Sequence, residues 1–189
     1  MKGLEKILGL DLAGSEKRPT GYAYFHGEKL KVGVLYKDTE ILELAEGFSL
    51  IMMDAPLSLP EGRKSIEEMG PHFRECDLML RRLGHKFFPI SLGPMRKLTE
   101  RGMRLARMLR QKGKHVLETF PGAFYDRRGV RRKDKKVLLE LYRSLGLRLE
   151  DREYLQDELD AIACLLSGMA YMEGRALLLE GKDGLIVVG

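Results

Sequence analysis

Three apolar segments of this chain each end on an acid that is followed at once by residues a strand does not continue through. They are KILGLDLA (6–13) with Asp11, FSLIMMDAP (48–56) with Asp54, and KHVLE (114–118) with Glu118. Short apolar runs bounded by turn residues predict strands, and the unbroken one at 48–56 predicts a central strand covered on both faces. Gly14 with Ser15, Pro56, and Pro121 with Gly122 supply the stops. Ligands of open α/β sheets bind beyond the carboxyl ends of the strands. Acids distant in sequence are therefore brought to one edge, and the chain is directed toward a sheet-centred α/β fold with a negatively charged end.

The segments between these strands fit the same plan. Residues 21–26 (GYAYFH) and 29–36 (KLKVGVLY) read as two strands around the His26-Gly27-Glu28 turn, completing an antiparallel meander with the first. Helices are expected at 38–46, capped by Asp38, and at 71–83 within a stretch (57–94) rich in Pro and Gly. A third, at 95–112, is amphipathic, with Met95, Leu98, Leu105 and Leu109 on one face and basic residues on the other. Two more follow at 134–145 and 155–173, and LIVV supplies a last strand. No repeat or low-complexity linker divides the 189 residues, and a hydrophobic fraction of 44% fills a core without disulfides. One domain over 1–189 is expected.

A further acidic patch, DELDA (157–161), opens the last long helix. Asp157 and Asp160 lie three apart and share a helix face, whereas Glu158 points elsewhere. Small neighbours, Ala161, Cys164 and Gly168, allow this turn to approach the sheet. An acid at a strand end is ordinarily explained by loop polarity, and one at a helix start by capping and the helix dipole. That covers Asp157. It covers less well three strand ends together with Asp160, which lies inside an apolar stretch. Like charges drawn together repel unless a cation neutralises them or a proton is shared. Oxygen ligands suit magnesium or manganese. Asp11, Asp54, Glu118 and one or both of Asp157 and Asp160 are thus the expected catalytic carboxylates.

Composition narrows the classes. Charged residues make up 32%, Asn is absent and Gln occurs only at 111 and 156, a balance that heat-adapted proteins favour, although the 10 Met residues run against it. The net charge of +5 is concentrated in two places. Arg96, Lys97, Arg101, Arg104, Arg107, Arg110, Lys112 and Lys114 form one group, which a solvated helix face explains equally well. Arg127, Arg128, Arg131, Arg132 and Lys133, continued by Lys135 and Lys136, follow Glu118 closely and are the expected nucleic-acid contacts, since such clusters neutralise phosphates. Arg74 and Asp77 read as an ion pair on a helix surface. His85 and His115 lack ligand spacing, and Ser15 and Ser58 have no base at a recognisable spacing. Cys76 and Cys164 lie far apart, outside any C-x-x-C pair, which excludes a zinc ribbon and fits reduced cytoplasmic thiols. After Lys2 and Glu5 the apolar run is too short for a leader, and nowhere do 18 apolar residues run together, so no membrane span is expected. A homodimer is compatible with the sequence.

The order of elements, with acids on the first strand, the fourth strand and the last long helix, resembles the ribonuclease H-like superfamily. More closely, GLDLAG, MDAPLSLP, RECDLMLRRLG, SLGPMRKLTERG, LETFPGA and DELDAIACLLSG in that order resemble the family called domain of unknown function 429, over nearly the whole chain. That resemblance implies a ribonuclease H-like mixed sheet, an antiparallel meander followed by parallel strands, flanked by helices. It implies a metal-dependent nuclease that hydrolyses phosphodiesters with two ions, Mg2+ or Mn2+. Asp11 would bridge both, with Asp54, Glu118 and Asp160 completing the set. Glu118 departs from the usual pattern because it belongs to the fifth strand. GLDLAGS also resembles the first phosphate loop of sugar kinases and actin-like ATPases, which makes a nucleotide or phosphate-ligand enzyme the second reading, although no matching second loop follows. A nucleic-acid-binding domain without catalysis is the third.

Overall fold

The computed structural model describes residues 6–189, and within them the apolar segments that end on acids become parallel neighbours. The strands are β1 (Ile7–Asp11), β2 (Thr20–His26), β3 (Lys29–Leu35), β4 (Leu50–Met53), β5 (His115–Thr119), β6 (Leu177–Gly181) and β7 (Gly184–Val188). The helices are α1 (Asp38–Ala45), α2 (Glu75–Arg82), α3 (Pro94–Gln111), α4 (Pro121–Asp126), α5 (Lys135–Ser144) and α6 (Gln156–Met172). One seven-stranded sheet runs β3-β2-β1-β4-β5-β7-β6. β1, β4, β5 and β7 are parallel, whereas β2, β3 and the far edge strand β6 are antiparallel to their neighbours. The expected meander is present, and the buried run LIMM is the middle strand. The reading of the first residues, through Lys2 and Glu5, lies outside the described residues.

Side-chain alternation divides the core. Ile7, Leu50, Met52 and Leu117 face a cluster built with α4, α5 and α6. Leu8, Leu10, Ile51, Met53 and Val116 face the other cluster, which α1 and α3 cover through Ile41, Ala45, Leu105 and Leu109. Among the described residues, no helix is long and apolar enough to cross a membrane.

Four local expectations are corrected. Asp38 is the first residue of α1 rather than its cap; Glu40 caps the helix by accepting from the backbone N–H groups of Lys37 and Tyr36 at 2.8 and 3.2 Å. Pro121, expected only to stop β5, also occupies the first turn of the short helix α4, where a missing N–H costs nothing. The final strand is one arm of a hairpin, and β6 is its partner. The exposed Leu178 breaks the apolar/polar alternation in LLLEG, so only the Gly181–Gly184 turn signal marked it. Arg101, in the basic group that a solvated helix face explains as well as phosphate contact does, is neither: it is buried and donates to Asp38, to the Ala13 carbonyl and to the Tyr36 carbonyl.

The approach of α6 to the sheet positions everything that follows. A Cβ at Gly9 would stand 2.4 Å from the Ala161 carbonyl oxygen, and one at Gly21 would stand 1.9 Å from that of Asp157. The helix thus rests its backbone on two glycines, directly beside the strand end that carries Asp11. Gly9→Ala is expected to push α6 outward and cost about 2–3 kcal/mol, as overpacking of a tight core does. Denaturant unfolding measures it; a loss below about 0.5 kcal/mol, the usual range for surface substitutions, would show that the helix shifts freely.

Candidate functional site

Register decides which strand-end acids meet. Leu10 pairs with Met53, and Met53 pairs with Glu118. Asp11 and Asp54 each follow one residue later, so both lie on the α6 face of the sheet. Glu118 stands level with Met53, and the strand period of two turns its side chain to the opposite face.

Asp11 and Asp54 are half-buried and hydrogen-bonded to each other through their carboxyl groups. Asp160 projects from α6 toward the same place. Its Oδ1 accepts from the Tyr125 hydroxyl at 2.8 Å and from Gln156 Nε2 at 2.9 Å, while Oδ2 has no hydrogen bond among the described residues. Burial, and then the neighbouring charges of Asp54 and Asp160, hold the Asp11 carboxyl well above its ordinary value. Burial pushes Asp54 up to about 7, with Asp160 and Glu118 adding to the effect and the Asp11 hydrogen bond and Arg132 opposing it. Asp160 rises to about 6, again through burial first, against the hydrogen bonds from Tyr125 and Gln156 and the charge of Lys133. Both carboxyls of the pair are thus held above the ordinary aspartate range, by burial first and then by their neighbours. Asp157 adds its charge from the adjacent turn. Among the described residues, no three His, Cys, Asp or Glu side chains are already gathered at metal-holding distance. The cluster is one hydrogen-bonded pair and a third acid that repels both.

Glu118 has a different setting. It is buried, and Arg74 binds it with Nη1 at 2.6 Å to Oε1 and Nη2 at 2.7 Å to Oε2. The Leu57 N–H donates to Oε1 at 2.8 Å. Arg74 and Asp77 do pair, but in the interior rather than on a surface, at 1% and 2% exposure. Every Arg74 N–H is used: Nε and one Nη2 hydrogen on Asp77, one Nη1 hydrogen on Ser58, and one from each Nη on Glu118. No donor is left for a phosphate. This network ties the segment after Asp54 to the start of α2 and to β5.

Beside Asp54 lies a cavity of about 540 Å³, floored by Arg74, Asp77 and Glu118 and walled by Phe87, Phe120 and Ile90. Lys86 and Arg132 are also in its lining. Arg132 binds Asp126 with two N–H groups and donates to the Lys86 carbonyl. Arg131 and Lys133 are exposed, as is Arg127. Arg128 lies over the Phe124 ring at 3.6 Å and donates to the Phe124 and Gly189 carbonyls. Of the basic stretch, then, Arg132 and Lys133 stand next to the acids, and Arg128 is engaged in packing. Sequence reasoning missed Tyr125 and Gln156, which orient Asp160, and Glu158, which receives the Leu155 N–H and pairs with Arg152. The capping spacing ahead of α6 was the signal for Glu158; none marked the other two.

The molecule is therefore a mixed α/β protein with an acid cluster at the carboxyl edge of its sheet. Its residues 9–183 match the family model described as Protein of unknown function (DUF429), and the chain belongs to that family. No curated protein matches it.

Proposed function

We propose that this protein is a ribonuclease H-like, metal-dependent phosphodiesterase acting on nucleic acid. The observation that carries the reading is the convergence of Asp11, Asp54 and Asp160 from β1, the end of β4 and α6, without an ion pair to any of them among the described residues. The strand order β3-β2-β1-β4-β5, with acids on the first strand, the fourth strand and the last long helix, supports the fold assignment.

The donor set fits magnesium or manganese: oxygen only, hard, and with carboxyls crowded closely enough that a cation would relieve them. Asp11, Asp54 and Asp160 would hold the ions. When bound, these stabilise charge at the phosphoryl group and make water a better nucleophile at neutral pH. Because the Asp11 and Asp54 carboxyls are held above the ordinary range, ion binding would compete with protons and be favoured as pH rises. Tyr125 and Gln156 fix one oxygen of Asp160 and leave the other without a hydrogen bond among the described residues. Glu118 acts as a positioning residue: through Arg74 and the Leu57 N–H it holds the turn that follows Asp54. Arg132 and Lys133 draw the phosphodiester toward the acids.

The test is incubation with single-stranded, branched and hybrid substrates in Mg2+ and in Mn2+. Cleavage that chelation abolishes is expected; no cleavage of any substrate class with either ion overturns the reading. The approach of substrate is tested separately. Charge reversal at Arg131, Arg132 and Lys133 is expected to weaken binding and to reduce the log–log salt slope by about one for each phosphate that is no longer neutralised. Unchanged affinity and slope would assign all three to solvent.

A further inference from the structure

The cavity beside Asp54 is out of character for a site that handles only a sugar-phosphate backbone. Such a backbone is polar and anionic, yet the walls are Phe87, Phe120, Ile90, Leu98 and Ile186. The floor offers little to hydrogen-bond, because the donors of Arg74 are all taken. At the lip stands Phe88, a large apolar side chain left 77% exposed. The cations Lys86 and Arg132 share the lining with these rings, and Arg132 stands over Phe120 at 5.1 Å. An anionic ligand with a flat apolar part matches this combination. In a nucleic acid the flat apolar parts are the bases, and a base is free to leave the backbone axis only where it is unpaired. The volume, about 540 Å³, falls within the range of roughly 300–1,000 Å³ typical of small-ligand pockets.

We propose that this cavity receives one unpaired nucleobase of the bound strand, stacked against Phe88 and Phe87, while the adjoining phosphate lies at the acids. The assignment rests on the phosphodiesterase reading for its ligand and deepens it: the substrate is a single-stranded or locally opened nucleic acid, DNA or RNA. Recognition is by stacking and charge, so base identity matters little. A fully paired duplex offers the pocket nothing.

The experiment uses the full chain carrying Asp11→Asn, so that strands are bound without being cut. Short single strands, DNA and RNA, carry either the fluorescent base 2-aminopurine or an abasic position at the centre. Binding is expected to quench the 2-aminopurine emission. Phe88→Ala is expected to weaken binding of the intact strand by roughly tenfold, as loss of one base–aromatic stack does, and to leave binding of the abasic strand unchanged. Phe88→Tyr, which keeps the ring, should restore the affinity. Because Phe88 is mostly exposed, its removal does not endanger the fold. No quenching, an equal loss for intact and abasic strands, or no binding of either strand overturns the proposal. Wild-type cleavage, measured in parallel, separates it from the reading on which it rests. Cleavage indifferent to Phe88 and to the central base sinks the pocket alone. Quenching that depends on Phe88, without any cleavage by the wild type, sinks the phosphodiesterase and leaves the base site.

Discussion

Asp11→Asn will make the metal-free protein more stable at neutral pH while removing metal-dependent cleavage by several orders of magnitude. Asp11, Asp54 and Asp160 all have folded-state values raised above the ordinary aspartate value of 3.8, through burial and through each other. A raised value means that the folded state holds protons more tightly than the unfolded chain. The associated stability is complete below about pH 4 and is lost as pH rises through about 6 for Asp160 and about 7 for Asp54. Metal-free wild type should therefore weaken across that window. The asparagine is neutral without taking up a proton on folding, and its amide N–H can donate to Asp54. We expect it to gain about 1–2 kcal/mol at neutral pH, the order of one pKa unit of relieved repulsion. At roughly 2–4 °C per kcal/mol for a chain of this size, thermal melts resolve the change. Divalent ions should raise the melting temperature of the wild type, since ligand binding to the folded state stabilises it, and raise that of the variant much less. Nucleic-acid binding should persist. A variant no more stable than wild type without metal would show that the acids do not strain one another.

The second large effect lies in the buried network. Arg74→Met removes the cation that holds Glu118 and Asp77, all three being almost inaccessible. Two carboxylates would remain in the interior without a counter-charge, a loss of about 3–5 kcal/mol by comparison with other broken buried pairs. The deficit should shrink in acid, because protonated carboxyls no longer carry the uncompensated charge; burial already pushes Glu118 upward even with Arg74 present. Replacing all three groups with apolar or neutral side chains of similar volume should recover most of the stability. Such a protein is expected to fold and yet to place Asp54 less accurately, because the Leu57 N–H loses its anchor on Glu118. Denaturant unfolding at two pH values distinguishes these outcomes. A loss below about 1 kcal/mol, as expected only of a surface pair, would mean that water takes the place of the guanidinium.

Much of this was legible in the chain because it depends on local chemistry. Apolar runs stopped by Gly and Pro placed β1, β4 and β5, and amphipathic spacing placed α3 and α6 to within a residue or two. That parallel strands carry Asp11 and Asp54 to one edge follows from the class of fold alone. The small residues Ala161 and Gly168 announced the close approach of α6, although the glycines that receive it, Gly9 and Gly21, are in strands whose pairing the sequence does not state.

Other features were decided by the tertiary structure. Whether Glu118 joins Asp11 and Asp54 turns on a single position of register, and a strand period of two sends it to the other face. The sequence places three acids at strand ends; pairing across β1, β4 and β5 divides them into two that hydrogen-bond to each other and one that Arg74 takes. Arg74 itself reads as an ordinary partner of Asp77 three residues on, and only folding shows that burial gives this pair a third member. The cavity beside Asp54 draws its lining from the turn after β4, from β5, β7, α2 and the start of α3, and from the loops around Phe88 and Arg132. No segment encodes it, because a concave surface is a property of elements brought together rather than of any one of them. What the sequence determined is which residues carry charge and where strands stop; which of those charges meet was settled by register and packing.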